Sequence, residues 1–143
     1  MVMDLRRLTP EFAVAPQIEP EDLAEAAAMG FRTLINNRPD EEIEDQLQSA
    51  AMAKAAAEAG LAYHHLPYYP GMLTEDLADA FSEVMKTAEG PVLAYCRSGT
   101  RSSHLWALDQ AGQMPTDEIL RRAAEWGYDH SGLAPLIEAR SNS

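Results

Sequence analysis

Three short apolar runs punctuate the chain: Phe31-Arg32-Thr33-Leu34-Ile35, Leu61-Ala62-Tyr63-His64-His65-Leu66 and Pro91-Val92-Leu93-Ala94-Tyr95, each preceded by a glycine. Runs of this length between turn residues predict strands. Helix-length segments separate them. Glu19-Pro20-Glu21-Asp22 followed by Leu23, Ala26 and Ala27 predicts a helix that stops at Gly30. Asp45 to Ala59 predicts a second, closing at Gly60, and Thr74 predicts the N-cap of a third with Leu77, Phe81, Val84 and Met85 on its inward face. Beyond the third strand the pattern turns helical through Leu105, Trp106 and Leu108, then again from Thr116 to Trp126 and near Leu133 to Arg140. Ahead of the first helix, Leu5 to Ile18 predicts a short strand or hairpin. Asn36 to Asp40 and Pro67 to Gly71 carry turn chemistry.

Strands that alternate with helices pair in parallel through right-handed crossovers, which predicts a three-layer α/β domain: a mainly parallel central sheet flanked by helices on both faces. A chain of 143 residues fits one such domain, residues 1–143, and buries roughly 68–70% of its unfolded surface. Much of the apolar share is alanine, in runs such as Ala26-Ala27-Ala28 and Ala55-Ala56-Ala57 that favour closely packed helices.

The net charge is −12, with acids gathered at Glu19 to Glu25 and Asp40 to Asp45. Most of this surface would repel a phosphate backbone, so no nucleic-acid partner is expected. The acidic runs read as solvated helix starts. A single cysteine forms neither an intramolecular disulfide nor a multi-cysteine metal site and suits a reducing compartment. No apolar stretch follows Arg6 and Arg7, and eighteen apolar residues never run together, so a soluble, cytoplasmic protein without a membrane partner is expected.

Candidate chemistry gathers where the third strand ends. Tyr95-Cys96-Arg97-Ser98-Gly99-Thr100-Arg101-Ser102 lies between an apolar strand and a helix start, where backbone N–H groups converge on one point and bind an anion. Ligands in such folds collect at the carboxyl ends of strands. Gly99 permits a left-handed backbone, and Arg101 offers a planar fork for two oxygens. The helix start and the arginines favour thiolate over thiol at Cys96, the nucleophilic form, and Ser102 stands where its hydroxyl would donate to the sulfur. A lone cysteine is by default a buried structural residue. Here the strand before it and the glycine, arginines and helix start after it point to chemistry.

The spacing Cys-x-x-Gly-x-Arg resembles the active-site loop of single-domain rhodaneses, which are sulfurtransferases. The wider chain resembles the phosphatase-like domain found fused to β-lactamase-like hydrolases. That resemblance runs from Gly30 to Glu41, Gly60 to Pro67 and Gly90 to Ser102, and covers about residues 3 to 112. It implies a fold like that of dual-specificity tyrosine phosphatases, with a rhodanese-like fold as the alternative. Two departures from the phosphatase pattern bear on the reaction. Such phosphatases place arginine six positions after the cysteine, where this chain has Ser102, so the loop is one residue shorter. Their general acid is an aspartate on a loop before the cysteine, whereas Pro67 to Leu73 contains no acid; Asp76 and Asp79 read as solvated positions on the following helix.

Both departures place sulfur transfer first. Cys96 would hold a persulfide taken from a small anionic sulfur donor and pass it to an external thiol or cyanide, with Arg97 and Arg101 attracting the donor and Ser98, Gly99, Thr100 and Ser102 completing the anion loop. Hydrolysis of phosphate monoesters through a thiophosphoryl-cysteine comes second, with a phosphate donor in that place. A non-catalytic anion or redox sensor comes third. Arg38, Asp40, His65 and Tyr68 are candidates to support the site from around it, although turn and capping roles explain Arg38 and Asp40 as well. His104 lies one turn past the loop. His64 and His65 alternate across a strand with no third ligand nearby, so neither a metal nor a cofactor is expected. Tyr69 could line the pocket mouth with Tyr68. Trp106, Trp126 and the seven methionines read as core.

Overall fold

The segment expected to hold a strand or hairpin holds both strands of one: Arg6–Thr9 (β1) turns back antiparallel on Phe12–Ala15 (β2) in the computed structural model, which describes residues 3–142. The chain continues through Asp22–Ala28 (α1), Thr33–Asn36 (β3), Ser49–Ala59 (α2), Ala62–His65 (β4) and Glu75–Thr87 (α3). Val92–Tyr95 (β5), Thr100–Asp109 (α4), Thr116–Ala124 (α5) and Ala134–Ser141 (α6) complete it, with single 3₁₀ turns at Asp40–Glu42, Asp45–Leu47 and Ser131–Leu133.

The strand order is β1-β2-β5-β3-β4, and every pairing except β1 with β2 is parallel. Alternation along the strands divides the core in two. Phe12, Val14, Ile35, Val92 and Ala94 face one cluster with Phe81 of α3, Leu105 and Trp106 of α4, Ile119 of α5 and Ile137 of α6. Ala13, Ala15, Leu34, Leu93 and Tyr95 face the other, with Leu23 and Ala26 of α1 and Met52 and Ala56 of α2. The chain steps outward from β2 to β4 under α1 and α2, then returns to β5 under α3 on the opposite face. The change of face accompanies the change of direction, as one hand of crossover requires. β5 thereby closes the centre of the sheet last, fully buried between β2 and β3.

Differences from the sequence reading are local and have physical causes. The strands start later than the apolar runs because Phe31 and Leu61 finish the preceding helices. Phe31 N–H donates to Ala26 O at 3.1 Å and Leu61 N–H to Ala56 O at 2.9 Å, the long bond of a Schellman close, which Gly30 (φ 102°) and Gly60 (φ 81°) permit. Helix α2 starts at Ser49 rather than Asp45, because Gln48 is extended and Asp40 Oδ1 accepts from Ser49 N at 2.7 Å. Thr74 caps α3 as expected, accepting from Leu77 N. Trp106 is core, whereas Trp126 is 41% exposed and donates its indole N–H to Arg7 O at 2.8 Å. Met52 is buried, but Met29 and Met72 are exposed, and Met1 lies outside the described residues. Among the described residues no helix is long and apolar enough to cross a membrane.

Phe81 is fully buried and meets Phe12 edge to face at 6.1 Å, joining α3 to the sheet. Phe81→Ala is expected to destabilise the fold by about 3–5 kcal/mol. A urea titration of wild type and variant checks this, and a loss below about 1 kcal/mol would mean that α3 is not anchored there.

Candidate active site

Cys96 follows the last residue of β5 and is fully buried. The strands on either side tether its neighbours, since Asn37 N–H donates to Tyr95 O at 2.8 Å and Gln17 N–H to Arg97 O at 3.2 Å. The chain then turns sharply into α4. Gly99, at φ 89°, donates its N–H to Cys96 Sγ at 3.1 Å, while its carbonyl accepts from Ser103 N in the first helical turn. Ser98 Oγ donates to Thr100 Oγ1 at 2.9 Å, and Arg97 and Ser98 are exposed. A side chain at position 99 has no room: a Cβ there would lie 2.3 Å from Tyr128 Oη. That hydroxyl donates to Ser98 O at 3.0 Å and accepts from Arg6 Nη1 at 2.7 Å.

Arg101 is held by a carboxylate. Its Nη1 donates to Glu42 Oε2 at 2.9 Å and its Nη2 to Glu42 Oε1 at 2.7 Å, while Nη1 also donates to Tyr68 O at 2.6 Å. Three of five guanidinium donors are thus engaged, and the two outside these bonds, on Nε and Nη2, share the other edge of the plane. The hydrogen bonds from Arg101, ahead of those from Arg38, hold the Glu42 carboxyl below the ordinary carboxylate range. The folded value being depressed, this pair's stabilisation is present above the unfolded value of about 4.3 and is lost as pH falls through the folded one.

Ser102 does not face the sulfur. It is fully buried one helical position past Arg101, and its hydroxyl donates to Asn37 Oδ1 at 2.8 Å. Asn37 Nδ2 in turn donates to Leu66 O, so Ser102 ties α4 to the ends of β3 and β4. Arg38 donates to Glu42 Oε1, Glu42 O and Gln17 Oε1, and its own carbonyl accepts from His65 Nε2 at 2.9 Å. Asp40 caps α2. Tyr68 is 4% exposed and its hydroxyl lies 2.9 Å from His104 Nδ1, whereas Tyr69 is 43% exposed and donates to Glu41. His104 packs edge-on against His130 with ring centroids 4.7 Å apart, and His130 Nε2 pairs with Ser103 Oγ at 2.7 Å. Burial, ahead of the neighbouring His104, pushes the His130 pKa down to about 4.

Gly99 N–H thus donates to the sulfur, and Arg101 stands in the first turn of the helix that follows. Glu42, Arg6, Tyr128 and His130 belong to this neighbourhood and were not singled out by the sequence reading. Glu42 sits within an acidic run whose pattern reads as a solvated helix start, and Arg6, Tyr128 and His130 are remote in sequence from the loop. Among the described residues no group of three or more His, Cys, Asp or Glu side chains could hold a metal ion.

The family model described as "Beta-lactamase hydrolase-like protein, phosphatase-like domain" matches residues 4–113. A beta-lactamase hydrolase-like protein of Xylella fastidiosa is 36% identical over 131 residues, which are 90% of this chain and 30% of that protein. The chain therefore spans under a third of that relative's length. The solved structure of a candidate phosphatase from Neisseria meningitidis is 34% identical with a TM-score of 0.79, covering 94% of this chain and 96% of that one. A kinase-associated phosphatase with serine in place of its catalytic-site cysteine superposes with a TM-score of 0.75 over 100% of this chain and 97% of its own. At 11% identity that likeness concerns the fold alone. The fold is tyrosine-phosphatase-like, as the resemblance implied.

The crowding at Gly99 has two separable parts. Gly99→Ala is expected to lose about 1–2 kcal/mol to the left-handed backbone and more to the clash with Tyr128 Oη. Tyr128→Phe removes the clashing oxygen, so a double-mutant cycle by urea unfolding should show favourable coupling. Strict additivity would place the cost elsewhere.

Proposed function

The chain belongs to the family of phosphatase-like domains of beta-lactamase hydrolase-like proteins, and from that premise we propose that it is a cysteine-dependent phosphatase acting on phosphate monoesters. The observation that carries the reading is the divided guanidinium of Arg101. Among the described residues Glu42 and Tyr68 take three donors and leave a two-donor edge, which matches two oxygens of a phosphoryl group, on the helix that follows a sulfur already accepting from a loop amide.

In this reaction the Cys96 thiolate attacks phosphorus, the bond from phosphorus to the ester oxygen breaks, and the alcohol leaves. Water then attacks the thiophosphoryl-cysteine, the S–P bond breaks, and inorganic phosphate departs as the thiolate is restored. The loop amides and the free edge of Arg101 stabilise charge on the non-bridging oxygens as it develops. Arg97, exposed on the loop, draws the anionic substrate in.

Sulfur transfer, placed first on the sequence alone, becomes the second reading, because the relatives and neighbours support ester hydrolysis better. It retains one specific observation: only four residues separate Cys96 from Arg101. In it the thiolate attacks the outer sulfur of a donor such as thiosulfate, the S–S bond breaks, and sulfite leaves. Cys96, the only cysteine, would then pass its persulfide sulfur to an external thiol or cyanide.

Intact-mass and phosphate-release measurements separate the two. Wild type is expected to release phosphate from p-nitrophenyl phosphate, and Cys96→Ser to release none above background. A gain of one sulfur on wild type exposed to thiosulfate, with no ester turnover, would reverse the order. Anion binding with neither reaction would leave a sensor.

A further inference from the structure

Alkyl phosphates leave as strongly basic alkoxides and need a proton, yet Pro67 to Leu73 offers no carboxyl to give it. Resting on the phosphatase reading, we propose that Tyr68, set in place by His104, is the general acid that protonates the leaving oxygen.

Tyr68 lies on the loop that would otherwise carry the acid, and the site fixes it at both backbone ends. Its N–H donates to Asn37 O at 2.9 Å, and its carbonyl accepts from Arg101 Nη1 at 2.6 Å. The backbone of Tyr68 is therefore tied to the guanidinium that would meet the phosphoryl group. The phenol is also close enough to Cys96 for the charge on sulfur to act on it, along with the opposing charge of Arg101. Its hydroxyl has one described partner, His104 Nδ1 at 2.9 Å. His104 is half-buried on α4 and braced edge-on by His130, which Ser103 Oγ anchors.

Among the described residues the groups facing this pair are thus Cys96, Arg101 and His130, and no carboxylate bonds to it. Burial raises the phenol's pKa and lowers that of His104, so both are neutral near pH 7. In its Nδ1–H tautomer a neutral His104 donates to the phenol oxygen and leaves the phenol proton for the substrate. That proton moves to the ester oxygen as its bond to phosphorus breaks, and the His104 N–H stabilises the phenolate left behind. In the second step the phenolate takes a proton from the attacking water, which restores Tyr68. Tyr68 is the catalytic residue of the pair and His104 its positioning residue.

A phenol can protonate an alkoxide, which is far more basic, but not a nitrophenolate, which is less basic. Leaving-group dependence therefore separates an acid from a packing residue. Phosphate release from glycerol phosphate and from p-nitrophenyl phosphate is measured for wild type, Tyr68→Phe, His104→Gln and Cys96→Ser. Tyr68→Phe is expected to lower kcat on the alkyl ester roughly 10²–10⁴-fold while staying within about threefold of wild type on the nitrophenyl ester. His104→Gln should move the same ratio in the same direction by less. Equal losses on both esters, or unchanged turnover of the alkyl ester, would overturn the assignment. Absence of Cys96-dependent release by wild type from either ester would sink the phosphatase reading itself and the assignment with it, and is visible before any variant of Tyr68 is made.

Discussion

The pairing of Arg101 with Glu42 is the contact on which the site's geometry depends. It joins the first turn of α4 to the connection between β3 and α2, two segments far apart in sequence, and the same guanidinium reaches Tyr68 on the loop after β4. At 13% and 22% side-chain exposure the partners are largely withdrawn from water, where a charge left alone is costly. The pair is therefore better understood as a positioning device than as a source of net stability. Its end-on geometry fixes the plane of the guanidinium, and with it the direction of the edge that remains.

The acidic run around Glu42 then has a specific internal order. Asp40 Oδ1 caps α2 through Ser49 N, and two residues later Glu42 binds both Arg101 and Arg38. Arg38 also meets Gln17, whose N–H holds Arg97 O. Three connections at the carboxyl ends of β2, β3 and β5 are thereby fastened to one another beside Cys96. This is the end of a parallel sheet where chain ends diverge and a ligand can enter.

The sequence displays its periodicities and its local loop, and both proved readable. Glycines spaced along the chain mark the Schellman closes, alternation along Val92–Tyr95 follows the two-sided core, and the strand, turn and helix start around Cys96 are adjacent in the chain. Pairing partners are another matter. Nothing in Glu42 distinguishes it from Glu41, yet one binds Arg101 and the other accepts from exposed Tyr69. Ser102 was expected to face the sulfur because it follows Arg101, but its helical position directs it to Asn37. Trp126 was expected in the core on residue type, but its indole N–H finds Arg7 O at the rim. These choices are made by tertiary contacts between segments distant in sequence, which neither spacing nor composition records.

The short loop and the family fold pull the chemistry in different directions, and the guanidinium decides how far each goes. A loop one residue shorter presents fewer amides to a substrate, so more of the burden of binding oxygens falls on side-chain donors. If Arg101 spent its whole fork on Glu42, nothing would remain for an oxyanion, and the site would suit a bare sulfur atom better than a phosphoryl group. Because Glu42 engages the end of the guanidinium and Tyr68 O takes the outer donor on Nη1, no bond among the described residues uses the parallel pair of N–H groups on the other edge. A tetrahedral group with at least two peripheral oxygens matches that pair, and a sulfane sulfur alone does not. The same reasoning admits thiosulfate, whose oxygens could occupy the edge while its outer sulfur meets Cys96. It weighs against persulfide donors, whose transferred sulfur is bonded to no oxygen-bearing centre.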